Sequence, residues 1–284
     1  MRDGAQAPTG LARRGRRLSD RETEQRMLRA AVAMVHRAGL TVSLDHISFE
    51  DVIRDADVSR SAVYRRWPYK DLFFSDLVRE LAKDATPNVV HDELALLRRV
   101  VAGHLDWLDT AELRHRLLLE LFRQLALLDF EALYGSPAWR TYIALHATFL
   151  SLADGGLREE VQAELARSER DRMGRVAAAW QQLTALFGYR LRPESGVTFD
   201  TLATLLSATM RGLVVLALSM PDIATQRTAA SPFGAGSTDE WSLPALGLGS
   251  IAAELLEPDP AVVWDQRRIA SVRAALINLA LPGT

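Results

Sequence analysis

Two helix starts in close succession, between Ser48 and Pro68, constrain the fold of this chain more than any other feature. Ser48 can cap a short helix with an apolar inward face, and Ser59 can cap the next helix. Proline disfavours helical geometry in the residue before it, so the second helix is expected to end at Trp67. The sequence therefore predicts two short helices joined by a tight turn at Asp57.

Longer helices flank this pair. Ser19 and Glu22 have capping-box spacing, and apolar residues then recur at helical intervals, which predicts a helix from Asp20 that ends at Gly39. A fourth helix is predicted from Lys70, where apolar residues again follow at helical spacing.

The rest of the chain has helical periodicity and no strand-like alternation. Residues 221–259, rich in proline and glycine, are expected to form a long irregular connection. The predicted fold class is all-α, with a basic N-terminal arm (1–19), a helix-turn-helix domain (20–86) and a C-terminal helical bundle (88–284). The predicted helices of the bundle are 94–108, 113–128, 139–152, 157–187, 199–220 and 261–281.

Composition excludes several classes of site. The 284 residues contain no cysteine, which rules out disulfides, cysteine-ligated metals and a cysteine nucleophile. Residues 1–18 lack the apolar core of a secretory signal, so a cytoplasmic location is expected. The longest apolar stretch, residues 202–220, contains Arg211 and is therefore predicted to be a buried helix, with no membrane partner.

Positive charge is concentrated in the N-terminal third. Residues 1–85 carry 16 Lys and Arg against 13 Asp and Glu, whereas the remainder carries 18 against 23. Four arginines lie between Arg13 and Arg17, and Arg60, Arg65 and Arg66 form a second cluster. Such clusters favour binding to phosphate backbones, although a solvated tail and an ordinary charged helix face would give the same pattern.

The helix pair and the helix after it resemble the DNA-binding signature of the tetracycline-repressor (TetR) family of bacterial transcription regulators. The resemblance covers roughly residues 20 to 80 and departs from the family in three places. Asp57 stands where a glycine is usual, and aspartate tolerates left-handed geometry better than most residues. Ile53 stands where an alanine is usual, and the segment from Gly39 to Asp57 is longer than usual for the family. The matching residues are Ser48, Val52, Ala56, Val58, Ser59, Val63, Tyr64, Trp67, Lys70 and Phe73.

The resemblance implies that the helix beginning near Ser59 enters the major groove of DNA. Arginine there can donate two hydrogen bonds to guanine. Ser48, Tyr64 and Lys70 match positions that contact the DNA backbone, whereas Trp67, Val58 and Val63 are expected in the core. The DNA-binding residues predicted in this way are Ser48, Ser59, Arg60, Ser61, Ala62, Tyr64, Arg65, Arg66 and Lys70.

The resemblance also implies a homodimer and, in many members, a small-molecule pocket in the second domain. Residues 199–220 and the last helix are the two candidates for dimerisation, and both could equally be the core of a single subunit. Aromatic and polar residues of the middle helices are candidates to line an apolar effector cavity. They are Trp107, Phe122, Arg123, Trp139, Tyr142, His146 and Trp180.

Two other classes of function compete with this interpretation. An enzyme is less favoured, because the sequence has no HExxH motif, nucleophile elbow, P-loop or dinucleotide fingerprint, and no cofactor or metal is expected. Glu112 and His115 form a lone i, i+3 pair that is typical of a solvated surface. The main alternative is a helical protein-interaction module that does not read DNA sequence. Sequence-selective, salt-sensitive binding to duplex DNA separates these classes.

Overall fold

The structure is a computed structural model, and it describes residues 18–38, 47–83, 85, 95–96, 99–100 and 103–280. The predicted arginine-rich arm, the helix stop at Gly39 and the C-terminal end of the last predicted helix after Ala280 lie outside these residues. Four helices form the N-terminal part of the chain: α1 (Asp20–Ala38), α2 (Phe49–Asp55), α3 (Arg60–Arg66) and α4 (Lys70–Lys83).

Local side-chain hydrogen bonds set the starts of these helices where the sequence predicts them. The Ser19 hydroxyl accepts a hydrogen bond from the backbone N–H of Glu22, whose carboxylate accepts one from the backbone N–H of Ser19 at 2.8 Å. The Ser48 and Ser59 hydroxyls cap α2 and α3 in the same way, since each accepts a hydrogen bond from the backbone N–H three residues further on. Asp57 has a φ of 51°, which confirms the left-handed turn between the two short helices.

Val63 and Trp67 face inward from α3 and are fully buried. The Trp67 ring meets the Phe73 ring edge-on, with the centroids 5.1 Å apart. Val58 is half-buried and packs on the same cluster, so its predicted burial is only partial. The cluster also contains Leu145 and two residues from a later helix, so this core continues beyond residue 86.

Within the described residues, seven further helices follow, and the fold is all-α. Long helices supply the scaffold, and two pairs of short antiparallel strands lie beside them. The helices are α5 (Ala111–Gly135), α6 (Pro137–Ser151), α7 (Gly156–Leu186), α8 (Phe199–Ser219), α9 (Asp222–Thr225), α10 (Leu243–Leu255) and α11 (Gln266–Ala280); 3₁₀ turns cover Leu105–Leu108 and Pro193–Ser195; the strands are β1 (Tyr189–Leu191), β2 (Arg227–Ala230), β3 (Asp239–Ser242) and β4 (Leu256–Pro258).

The predicted irregular connection over residues 221–259 is wrong. It contains α9, α10, the β2–β3 hairpin and β4, which pairs with β1. Two prolines mark helix starts here, since Pro221 immediately precedes α9 and Pro244 lies in the first turn of α10, which the Ser242 hydroxyl caps. The strands are three or four residues long, too short to show a period of two in the sequence.

The two predicted dimerisation helices behave differently. Ile269, Val272 and Leu276 of α11 are buried against α5 and the end of α7, so this face belongs to the core of its own subunit. α8 buries one face against α7 and α10 and exposes the other. By length and composition α8 could also cross a membrane, but Arg211, at its centre, is hydrogen-bonded to protein groups.

Candidate DNA-binding surface and ligand cavity

The residues that α3 exposes to solvent can be identified from those that it buries. Because Val63 and Trp67 point into the core four residues apart, the positions between them and before them are turned to solvent. Ala62 is half-buried on this face. Its exposed residues are Arg60, Ser61, Tyr64 and Arg65.

Glu50, in the first turn of α2, holds two of these side chains. Its carboxylate lies 2.7 Å from the guanidinium of Arg60 and accepts a hydrogen bond of 3.1 Å from the Tyr64 hydroxyl. That hydrogen bond raises the pKa of Tyr64. Glu50 of α2 therefore contacts two exposed side chains of α3.

The two following arginines pair with acidic residues of the same domain. Arg65 pairs with Asp20 at the start of α1. Arg66 donates to Glu24 and to Asp76, both at 3.1 Å, and so clamps α3 to α1 and α4. The hydrogen bond with Glu24 raises the pKa of Arg66. This gives Arg66 a structural role that the sequence analysis missed, and its contact with DNA stays a prediction.

The remaining predicted contacts lie at helix starts. Ser48 and Ser59 are exposed and cap α2 and α3, and Lys70 is the first residue of α4. Lys70 is exposed and has no ion-pair partner within the described ranges. Its charge is therefore available to an anionic partner such as a phosphate.

A cavity of about 590 Å³ lies in the second half of the chain. It is bounded by α5, the end of α7, the β1 region, α10 and the β2–β3 loop. Its size is within the range of small-molecule sites, and most of its lining is apolar or aromatic. A smaller cavity of about 160 Å³ is lined partly by Trp107 and Trp241.

His115 joins three walls of the large cavity. One ring nitrogen lies 2.6 Å from the Tyr189 hydroxyl in β1, and the other lies 2.7 Å from the Phe233 carbonyl. A neutral ring satisfies both bonds, since it can accept from the hydroxyl and donate to the carbonyl. His115 is half-buried and both ring nitrogens bond to other residues, so the expected surface pair with Glu112 is wrong.

The β2–β3 loop, which forms one wall of the large cavity, packs closely against α10. Phe233 has a φ of 59°, and Gly234 and Gly236 also have positive φ. The Phe233 ring lies so close to Gly249 that a Cβ there would stand 2.5 Å from its Cε2 atom. Glycine at position 249 therefore permits the hairpin to close onto α10.

The predicted ligand residues fall into separate places. Phe122 and Trp180 line the large cavity, with ring centroids 5.7 Å apart, and Trp107 lines the small one. Arg123 is bonded to Glu120 and donates to the Glu240 carbonyl at 2.9 Å, so it ties α5 to the hairpin.

Trp139, Tyr142 and His146 line neither of these two cavities. Trp139 and Tyr142 are buried and stacked, and His146 packs on Tyr142. Aromatic residues at helical spacing thus form core here, as happens more often than ligand contact. The placement removes these three residues from the cavity that the structure describes.

Tyr142 belongs to a charged network between α6, α7 and α8. Its hydroxyl donates to Glu169, and Arg211 donates to the Tyr142 hydroxyl at 2.6 Å and to Glu169 at 2.8 Å. Burial raises the pKa of Tyr142, and the hydrogen bond to Glu169 raises it further. Burial opposes the charge of Glu169, but the hydrogen bonds from Arg211 and Tyr142 outweigh it and lower the pKa of that carboxyl.

Several residues of the large cavity had no signal as a group in the sequence. His115 and Phe233 are 118 positions apart, and Tyr189 and Arg192 lie on a strand and turn that the sequence analysis treated as a break. The one available sign was the glycine-rich stretch at Pro232–Gly236 within a long supposed loop, since such loops often carry function.

Comparisons with known proteins give limited similarity. No family model matches the chain, and none of the curated proteins matches it. The crystal structure of the full-length native TylP, a TetR regulator from Streptomyces fradiae, shares 14% sequence identity, covers 90% of this chain and 98% of its own chain, and has a TM-score of 0.35.

Proposed function

We propose that this protein is a cytoplasmic transcription regulator of the TetR type, which binds a pseudo-palindromic DNA operator as a homodimer. In this proposal the outward face of α3 reads base edges and Ser48, Tyr64 and Lys70 contact phosphates. Repression that a small-molecule effector relieves is the expected mode. The effector and the operator would then disfavour each other through a shared conformational equilibrium.

One observation carries the DNA-binding part of the proposal: α2 and α3 form a capped pair around a left-handed turn, with one face of α3 exposed to solvent. The Ser59 cap, the Asp57 turn and the buried Trp67 hold α3 on the domain core. Arg60 lies on that face, and Lys70 is the first residue of the helix that follows. A short helix held in this way has the size and chemistry to enter a major groove.

The exposed face of α8 supports the homodimer. Leu205, Val215 and Leu216 are 42%, 45% and 51% exposed on this helix. The exposed residues between them are small, Ala208 and Gly212, so another helix can approach closely. A second copy placing the same face here would bury all five residues around a two-fold axis.

Selection of bound duplexes from a random DNA library, at two salt concentrations, tests the central claim. An enriched inverted repeat is expected, with affinity that falls steeply as salt rises, because bound phosphates release counterions. Recovery of no preferred sequence by the folded protein would contradict the proposal and would favour the protein-interaction module.

Variants then separate base reading from phosphate binding. Lys70→Ala is expected to weaken binding to the selected operator and to random duplex alike, whereas Arg60→Ala also reduces the preference for the operator, by about 1–3 kcal/mol. Arg170→Ala, an exposed arginine on α7, is the matched control. Equal losses on both duplexes for Arg60→Ala would exclude its base-reading role.

Sedimentation of Leu216→Glu tests the dimer surface. A charge on the α8 face is expected to give monomers at concentrations where the unmodified chain is dimeric. Val263→Glu places the same charge on a residue that is 75% exposed outside this helix and is expected to remain dimeric. Dimers of unchanged stability in Leu216→Glu would place the interface elsewhere.

A further inference from the structure

The large cavity combines aromatic and side-chain-free surfaces. Phe122 and Trp180 present rings to it, whereas Gly234 and Gly249 contribute only backbone. His115 is not available as a ligand anchor in this arrangement, because both ring nitrogens are already bonded to the walls. These features suit a flat ring that lies against the aromatic side chains.

Arg192 lies at the same cavity, and its ion pairs are too long to be hydrogen bonds. Its guanidinium is 3.7 Å from Glu257 and 3.9 Å from Glu194, both beyond hydrogen-bond distance. Glu257 is instead bonded to Arg190 at 2.9 Å. Arg192 therefore has N–H donors to offer an anion, and a planar carboxylate matches the guanidinium geometry best.

The other charged residues of the lining leave this preference in place. Arg116 stacks on Trp107, with its guanidinium 4.8 Å from the ring centroid, and Glu112 is exposed at the first turn of α5. With Arg192 included, the lining carries two positive groups and one negative group. Glu194 and Glu257 also lie near Arg192, at 3.9 and 3.7 Å, so the preference for an anion comes from the unused N–H donors of Arg192 and not from the net charge.

We propose that this cavity binds a flat aromatic carboxylate, with the ring against Phe122 and Trp180 and the carboxylate on Arg192. Binding itself is a property of the cavity alone; only its role as the effector signal rests on the proposed function. Failure of DNA recognition would therefore leave the binding claim intact, and the two are tested separately.

Isothermal titration of the full chain with 2-naphthoate tests this proposal, and 2-naphthalenemethanol serves as the neutral analogue. Saturable binding of one naphthoate per chain is expected. Arg192→Gln is expected to weaken naphthoate binding by about tenfold or more, since a charge-assisted hydrogen bond is lost, and to leave the binding of the alcohol unchanged. Arg170→Gln is the matched charge control.

A second variant tests the location. Ala252→Trp fills the cavity from α10 and is expected to abolish binding of both compounds, whereas Ala270→Trp, on an exposed position of α11, is expected to leave both unchanged. If Ala252→Trp does not fold, Arg192→Gln still tests the proposed binding, because a substitution at a half-exposed side chain is expected to leave the fold intact. Absence of saturable naphthoate binding up to about 1 mM, or unchanged affinity in Arg192→Gln, would overturn the proposal.

Discussion

Asp76 is expected to be the most sensitive polar residue of the helix-turn-helix. Its carboxylate accepts three hydrogen bonds: from the Trp67 indole N–H at 2.8 Å, from Arg66 at 3.1 Å and from Arg79 at 2.8 Å. Trp67 is fully buried, whereas the two arginine side chains are 36% and 35% exposed. The single carboxylate thus connects the core ring of α3 to two arginines near the surface.

These contacts set the expected cost of Asp76→Ala. Leaving the buried indole N–H of Trp67 without an acceptor costs about 1–3 kcal/mol. Each ion pair adds about 0.2–1 kcal/mol, because solvent screens the arginines. The free energy of unfolding should therefore fall by about 2–4 kcal/mol. Asp76→Asn keeps an oxygen for the indole and should lose about half as much.

Urea unfolding followed by tryptophan fluorescence, at one fixed protein concentration, measures this loss. Glu80→Ala is the control: it removes an exposed pair with Lys83 on the same helix and should change the free energy of unfolding by less than about 1 kcal/mol. A loss below about 1 kcal/mol in Asp76→Ala would refute the assignment of the indole bond as the main contribution. Equal losses in the alanine and asparagine variants would assign it to charge instead.

Three further outcomes follow from the described contacts. The pKa of Glu169 is lowered in the folded chain, so the stability that this carboxylate contributes is present above its unfolded pKa of 4.5 and is lost as pH falls through its folded pKa. The difference in the free energy of unfolding between the native chain and Glu169→Gln should therefore shrink in acid. A difference that does not change with pH would contradict this. Glu50→Gln releases Arg60 from an exposed ion pair. Fluorescence anisotropy titrations should then show tighter binding to random duplex DNA and a smaller preference for the operator. An unchanged ratio of the affinities for operator and random duplex would argue against a role of Glu50 in positioning Arg60. Gly249→Ala should lower the free energy of unfolding in urea by about 1–3 kcal/mol, because the new Cβ meets the Phe233 ring. The same substitution should cost less in a chain that also carries Phe233→Leu. If the losses of the two single variants simply add in the double variant, the contact is refuted.

Helix starts were predictable because their determinants are local. Ser48 and Ser59 cap their helices through hydrogen bonds to residues three positions on, and Asp57 adopts the left-handed turn that its side chain tolerates. These interactions lie within a few residues of sequence, where pattern and chemistry can be read together. The burial of Val63 and Trp67 follows from the same helical spacing.

The cavity was not predictable, because contacts far apart in the sequence make it. His115 reaches Phe233 across 118 positions, and β1 pairs with β4 across the whole of α8. Nothing near His115 in the sequence distinguishes it from a surface residue. The aromatic residues failed as a guide for a related reason: Trp139 and Phe122 both lie in predicted helices, and only packing separates core from cavity.

The two parts of the candidate mechanism meet on α7. Near its start, Val161 and Leu165 pack in the same hydrophobic cluster as the helix-turn-helix, and Glu160 pairs with Arg79 of α4. Trp180, about 30 Å further along the helix, lines the cavity. A helix is stiff along its axis, so a ligand that shifts α7 at Trp180 would move the start of the helix as well, whereas rotation of the Trp180 side chain or movement of the hairpin wall would leave α7 in place. Because the wall is itself fixed by His115, displacement of α7 is the path that would carry ligand binding to the position of α4 and hence to α3.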